Sequence, residues 1–381
     1  MLDLKSLAAR LCQAREVLAY SIDDVCQGTG LDHPRIAAIE SGTQMPSGDE
    51  ILILASFYDC DFRAFLDEKL PAPVQQTDIL FRRFGDSFSP QDRRSVQEFL
   101  RLCETESELE GLLGIPKQDF SPTISGKYYK AHGEQASDAL RQQLGYGENA
   151  APRDVYDDFR KIGVHIFRRK LANADISGLY IQHPSAGHCV LINYHEDIYR
   201  QRFSVAHEVA HAIFDLADDV MVTYQPASSK YSAQDFQEIR ANSFASCYLM
   251  PPRMLRKLGR VDQSNALHWA QQFRVSTAAL AKALKDNNLV DDKAAAAIRS
   301  VRVPKEEKID PEAPENLSPL QRERRLTLLR RGFSDYYVGL CMESHYRNLI
   351  STGRLVESLR VDYGELAEVG ALYGRTVGHG A

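Results

Sequence analysis

Residues 203–216 read FSVAHEVAHAIFDL, and within them His207, Glu208 and His211 form a complete HExxH. On a helix, residues four apart share a face, so two imidazoles at this spacing converge on one metal ion. Glu208, beside the first His, then points toward the water on that metal and away from the metal itself. An open zinc site needs neutral His nitrogens, a third protein ligand and a free position for the water. Phe203, Ala206, Val209, Ala210, Ile213 and Phe214 make the helix apolar on more than one side, as a buried active-site helix requires.

The third ligand must come from downstream. The longer HExxHxxGxxH form is excluded, because Phe214 fills its Gly position and Ala217 its third His position. That leaves two His plus a carboxylate from a later helix. The acidic candidates are Asp215, Asp218, Asp219, Asp235 and Glu238, of which the first three sit too close behind the metal helix to swing back onto the ion. Glu238 opens EIRANSFASCYLMP (residues 238–251), where Ile239, Phe244, Ala245, Tyr248 and Leu249 suit a packed helix that stops before Pro251 and Pro252. Asn242, four residues after Glu238, shares its face and is placed to hydrogen-bond a zinc-ligating His from behind. A lone helical Glu is ordinarily a solvated charge; its pairing with HExxH and Asn242 favours the ligand reading.

RQRFSVAHEVAHAIF followed by ExxANxFAxxxLMP resembles the ImmA/IrrE-type metallopeptidases, which cleave helix-turn-helix repressors in prophages, mobile elements and stress responses. The strand-like ISGLYIQ and CVLINYHED ahead of the motif resemble the same family, over roughly residues 130–290 in all. The resemblance implies His207, His211 and Glu238 as Zn²⁺ ligands and Glu208 as the catalytic base. Many members have an acidic residue just before the Ala-Asn pair, where this chain has Arg240. Tyr224, Tyr231 and His188 are candidates for stabilising an oxyanion.

Residues 4–66 read as five short helices. Ser21 and Asp24 form a weak capping box, Gly28 and Gly30 break the chain, and Asp32 is placed to cap HPRIAAIE. GLDHPRIAAIESGTQMPSGDEILILASFYDCDFRAFL resembles the Xre/phage-repressor helix-turn-helix family. That implies a helix from Asp32 to Glu40 in the DNA major groove, with His33 and Arg35 as the candidate contacts. Charge argues for restraint: residues 1–70 carry six basic and twelve acidic side chains, the reverse of a usual DNA-binding footprint. Many relatives also have Gln where this chain has Ile22. Operator DNA is thus one expected partner of this module; protein docking or homodimer formation is the other.

The 381 residues suffice for two or three domains, and 44% hydrophobic with 26% charged residues describes a globular protein. The 7 Cys are scattered with no CxxC, which argues against a disulfide framework and suits a reducing cytoplasm. No apolar run approaches membrane-spanning length. A net charge of −6 gives no general attraction to nucleic acid.

The expected fold is mostly α with an α+β zincin core. Its parts are a helix-turn-helix domain (1–70), a linker with bridging helices (71–130), a metallopeptidase domain with a small sheet (131–300), a Pro-rich linker (301–318) and a C-terminal helical region (319–381). In that last region Arg322, Arg324, Arg325, Arg330 and Arg331 read as a solvated face or as a contact for nucleic acid or an acidic partner. The leading function is a zinc endopeptidase coupled to transcriptional regulation. The alternative is a DNA-binding regulator whose zincin part is a sensor or dimer scaffold.

Overall fold

The computed structural model describes residues 3–84, 87–215, 220–224, 233–314 and 317–375. They divide into two units: Met1–Glu108 with Leu171–Asn173 and His183–Ala186, and the remainder.

The first unit begins with the five expected helices, α1 (Leu4–Val17), α2 (Ile22–Thr29), α3 (His33–Glu40), α4 (Gly48–Phe57) and α5 (Arg63–Leu66). Capping sets their ends. Ser21 and Asp24 close a reciprocal capping box on α2, and Ser47 and Glu50 close another on α4. Gly30, at φ 74°, takes the left-handed turn that stops α2. Asp32 makes no side-chain bond to α3: Pro34 removes one of the two N–H groups that such a cap can meet, and the carboxylate does not engage the other, that of Arg35. Leu7, Leu11, Val25, Ile36, Ile39 and Leu54 fill the core.

Helices α6 (Gln75–Phe84) and α7 (Pro90–Leu113) fall in the stretch expected to bridge. Instead, α6 and most of α7 belong to this first unit. Gln97 Nε2 donates to the Asp59 carbonyl at 3.0 Å and Arg93 Nη1 to that of Val17 at 3.2 Å. Val96, Phe99, Leu100 and Cys103 are all buried, a stripe too apolar to be left to solvent.

The second unit holds α8 (Tyr129–Gln143), α9 (Val155–Lys161), β1 (Val164–Arg169), β2 (Ile176–His183), β3 (Gly187–Asn193), α10 (Ile198–Phe214), β4 (Val220–Tyr224) and α11 (Ala233–Leu249). The strands form one sheet in the order β1-β3-β2-β4. β1 runs parallel to β3, from Val164 opposite His188 to Arg169 opposite Asn193. β2 runs antiparallel to β4, with a break in register between Ile176 and Gly178. Val190, Ile192, Val205, Val209, Phe244 and Tyr248 build the core where α10 and α11 meet the sheet.

Helix α11 lies unusually close to α8. A Cβ on Gly133 of α8 would sit 2.5 Å from the Arg240 carbonyl and 2.6 Å from the Phe244 nitrogen, both backbone atoms of α11. Only glycine permits that approach. Helices α12 (Pro252–Arg256), α13 (Ala266–Phe273), α14 (Thr277–Asp286) and α15 (Asp292–Ser300) follow, with Ser276 capping α14 as its sequence suggests.

Residues 301–318, read as a linker from their prolines, are anchored to β1. The Arg168 guanidinium, 1% exposed, forms a two-point pair with Asp310 at 2.9 and 3.0 Å and a third bond to Glu312 at 2.9 Å. Arg160 meets the other Glu312 oxygen at 2.7 Å. Burial disfavours the Glu312 charge, but Arg160 and Arg168 outweigh it and hold the carboxyl below its usual range. Proline content marks a segment without regular structure; it does not mark one without contacts.

The chain continues through α16 (Pro319–Leu329), α17 (Asp335–Tyr346), α18 (Thr352–Leu359) and α19 (Leu366–Leu372). Part of the arginine cluster is spent inside this region. Arg325 is buried over the Tyr373 ring and bonded to Asp335 at 2.6 Å, while Arg324 pairs with Glu368. Residues 351–369 also repeat the spacing of residues 21–39. Each has a capping Ser, an eight-residue helix, a left-handed residue (Gly30 or Arg360), then an apolar residue, an Asp and a buried Ile36 or Leu366. Among the described residues, no helix is long and apolar enough to cross a membrane.

Candidate metal centre

His207 and His211 are buried on α10, and Glu238 lies in the second turn of α11. The helix starts at Ala233, earlier than the sequence suggests. His207 Nε2 and His211 Nε2 are 3.2 Å apart; Glu238 places one oxygen 3.3 Å from the first and the other 3.6 Å from the second. Ligands about 2.0–2.2 Å from a tetrahedral zinc are separated from each other by about 3.3–3.5 Å. The spacings about the two Nε2 atoms therefore fall close to the edges of such a site, with Glu238 turning a different oxygen to each His. The donor set, two imidazoles and a carboxylate, is one that zinc takes.

The environment of His211 is polar and closed. Its Nδ1 lies 2.8 Å from Asp215 Oδ2. A carboxylate only accepts, so Nδ1 carries a proton. Nε2 is the nitrogen turned to the other two groups, and it must give up its own proton to take a metal. Burial would lower the His211 pKa, but bonds to Asp215 and Glu238 and the nearby Glu208 charge push it up to about 10 in the metal-free protein. For Glu238, burial favours the neutral form, yet His207 and His211 hold the carboxyl far below its usual range.

Glu208 is fully buried on the same helix. Its carboxylate lies against Gly178 of β2: a Cβ there would come 3.0 Å from Glu208 Oε1 and 3.1 Å from its Cγ. The broken register at Ile176–Gly178 sits at the same place, a common device for shaping a sheet beside a site. Gly178 escaped the sequence reading. The signal was there, a glycine inside the strand pattern ISGLYIQ, which marks close approach by another group.

The structure brings His207, His211, Glu208 and Glu238 together and leaves Asn242 apart. Asn242 is exposed on α11, and the group behind the metal-facing His211 is Asp215. Asp215 had been set aside as too near to ligate. It does not ligate, but it is four residues from His211 and so faces it, by the same spacing that pairs His211 with His207. Asp218, Asp219 and Tyr231 lie outside the described residues. His188 hydrogen-bonds Tyr180 Oη through Nδ1 at 3.0 Å. In the N-terminal unit, His33 is exposed at the start of α3. Arg35 is engaged by Glu50 at 2.6 and 2.7 Å, by Gln44 at 2.5 Å and by the Met45 carbonyl at 3.0 Å. It is a brace between α3 and α4 before it is anything else.

Comparison with known families agrees with this division. Residues 159–285 match the peptidase-family model described as an IrrE N-terminal-like domain, and residues 13–65 match a helix-turn-helix model. The first match spans β1 to α14 and contains all four metal-centre residues. No curated protein matches the chain. The chain therefore joins a helix-turn-helix domain to a peptidase-family domain of the IrrE type.

Proposed function

We propose that the protein is a zinc-dependent endopeptidase of the HExxH…E kind, coupled to transcriptional regulation, whose substrate is a helix-turn-helix repressor-type protein cut in response to stress or mobile-element signals. The observation that carries the catalytic part is the cluster of His207, His211 and Glu238, in which the two Nε2 atoms are 3.2 Å apart and the two Glu238 oxygens lie 3.3 and 3.6 Å from them. Bound there, Zn²⁺ would supply Lewis acidity, activating water and polarising a scissile carbonyl. The chain's own residues do the rest. His207, His211 and Glu238 fix the ion's position. Glu208, buried beside His207 in the space that Gly178 leaves, takes a proton from the attacking water and returns it to the departing amine.

The helix-turn-helix domain supplies the link to regulation. With Arg35 occupied internally and six basic against twelve acidic residues in 1–70, its hold on operator DNA rests on few phosphate contacts. Glu208→Gln tests the catalytic reading against the sensor alternative. The variant should bind close to one Zn²⁺ per chain, like the parent, and cut no repressor. Undiminished cleavage would remove Glu208 from the mechanism, and a parent that cuts no repressor from its own locus under any inducing condition would favour the sensor.

A further inference from the structure

We infer that Asp215 and Arg240 form a positioning pair that sets the zinc affinity of the centre, an inference that rests on the metal site proposed above. Asp215 follows the end of α10, 5% exposed. Both its oxygens are committed. Oδ2 accepts from His211 Nδ1 at 2.8 Å; Oδ1 accepts from Arg240 Nη2 and from Gln237 Nε2, the latter at 3.1 Å. The guanidinium of Arg240 is itself held in place, 4.4 Å over the Phe214 ring and 5.6 Å from that of Tyr129.

The geometry gives the pair two effects. A carboxylate behind a ligating imidazole fixes the ring's tautomer and rotation and raises the basicity of the opposite nitrogen. Left alone, that buried carboxylate would be costly; Arg240 supplies the opposite charge that keeps it ionised and oriented. The second effect is on spacing. Arg240 sits two residues after Glu238 on α11, and Asp215, just past the end of α10, four residues after His211. The ion pair thus ties together the two helices that present the second and third ligands. An acidic residue at 240 would face Asp215 with like charge, whereas Arg240 meets it with the opposite one.

The test is zinc affinity, measured by chelator competition on the full chain, with the thermal melting of each metal-free variant as the check on folding. Asp215→Ala should weaken zinc roughly 10–100-fold. Arg240→Ala should weaken it less, Arg240→Lys should recover part of that loss, and Arg240→Glu should be worse than Arg240→Ala. The double variant Asp215→Ala/Arg240→Ala should bind no more weakly than Asp215→Ala alone, because Arg240 acts through Asp215. Cobalt-loaded Asp215→Asn, a smaller change, should show an altered visible spectrum if the fold is intact. Parent-like zinc affinity in Asp215→Ala, or losses that multiply in the double variant, would overturn the pair. A parent that binds no zinc, or a His207→Ala variant that binds it as well as the parent, would overturn the metal site itself.

Discussion

At the scale of single residues, the centre is shaped as much by what is missing as by what is present. Gly178 leaves room for the Glu208 carboxylate, and a methyl group there would come within 3.0–3.1 Å of Glu208 and of Ile192 Cδ1. Gly178→Ala should therefore keep zinc but cut turnover by about 10-fold or more, since small misplacements of a reacting group are amplified in rate. Unchanged turnover with the same zinc content would show that the carboxylate has slack. His211 allows a pH prediction. Its metal-free pKa is raised from 6.5 to about 10, so its proton stabilises the metal-free fold fully below pH 6.5, and that contribution fades as pH rises through 10. Zinc bound at Nε2 would displace that proton. Between pH 7 and 10, zinc uptake should release about one proton per chain from this site. Calorimetry in buffers of different ionisation enthalpy measures the release; an absence of buffer dependence would contradict the assignment.

At the scale of elements, helices and strands were largely legible, because capping and apolar periodicity are local. Ser21, Ser47 and Ser276 are caps that can be read from neighbouring residues alone. The ligand triangle was legible for the same reason, two of its corners lying on one helical turn. What could not be read was contact between distant elements: the place of Gly133 against α11, of Gly178 against α10, and of Arg35 against Glu50. Each depends on which faces meet, and a single sequence does not state it. Gly133→Ala should force α8 and α11 apart, at a cost of about 1–3 kcal/mol, and weaken zinc because α11 carries Glu238. Denaturant unfolding and chelator competition together would check this; a loss of stability with zinc affinity intact would separate packing from the site. Arg35→Ala should lower the melting temperature of the helix-turn-helix unit, as should Glu50→Ala, with little further loss in the double variant. If Arg35→Ala instead weakens operator binding at unchanged stability, the residue serves DNA first.

At the scale of the whole molecule, composition proved a poor guide to residues 301–318. Four prolines in residues 302–319 read as a linker, yet two carboxylates there neutralise Arg160 and Arg168 in the interior of the second unit. Replacing both Asp310 and Glu312 by Ala would strand those cations and should cost about 3–5 kcal/mol, a large part of a typical domain's stability. Reversible urea unfolding would register it; a shift under about 1 kcal/mol would mean that water or other groups take over the arginines. Electrostatics at long range gives a separate prediction. The acidic balance of residues 1–70 implies a shallow salt dependence of any DNA binding by that module. A steep slope that survives deletion of residues 1–70 would place the contact in the C-terminal arginines instead.

The Arg168 pair also bears on the order in which the protein is made. Its counterions, Asp310 and Glu312, follow it by 142 and 144 residues, well past residue 285, where the family match ends. A nascent chain that has emerged only through α15 already contains His207, Glu208, His211 and Glu238, but its Arg168 still lacks the two carboxylates that neutralise it. Closing so long a loop is slow relative to forming local helices. The second unit thus reaches its full stability only after the segment beyond α15 has been synthesised and has closed on Arg160 and Arg168.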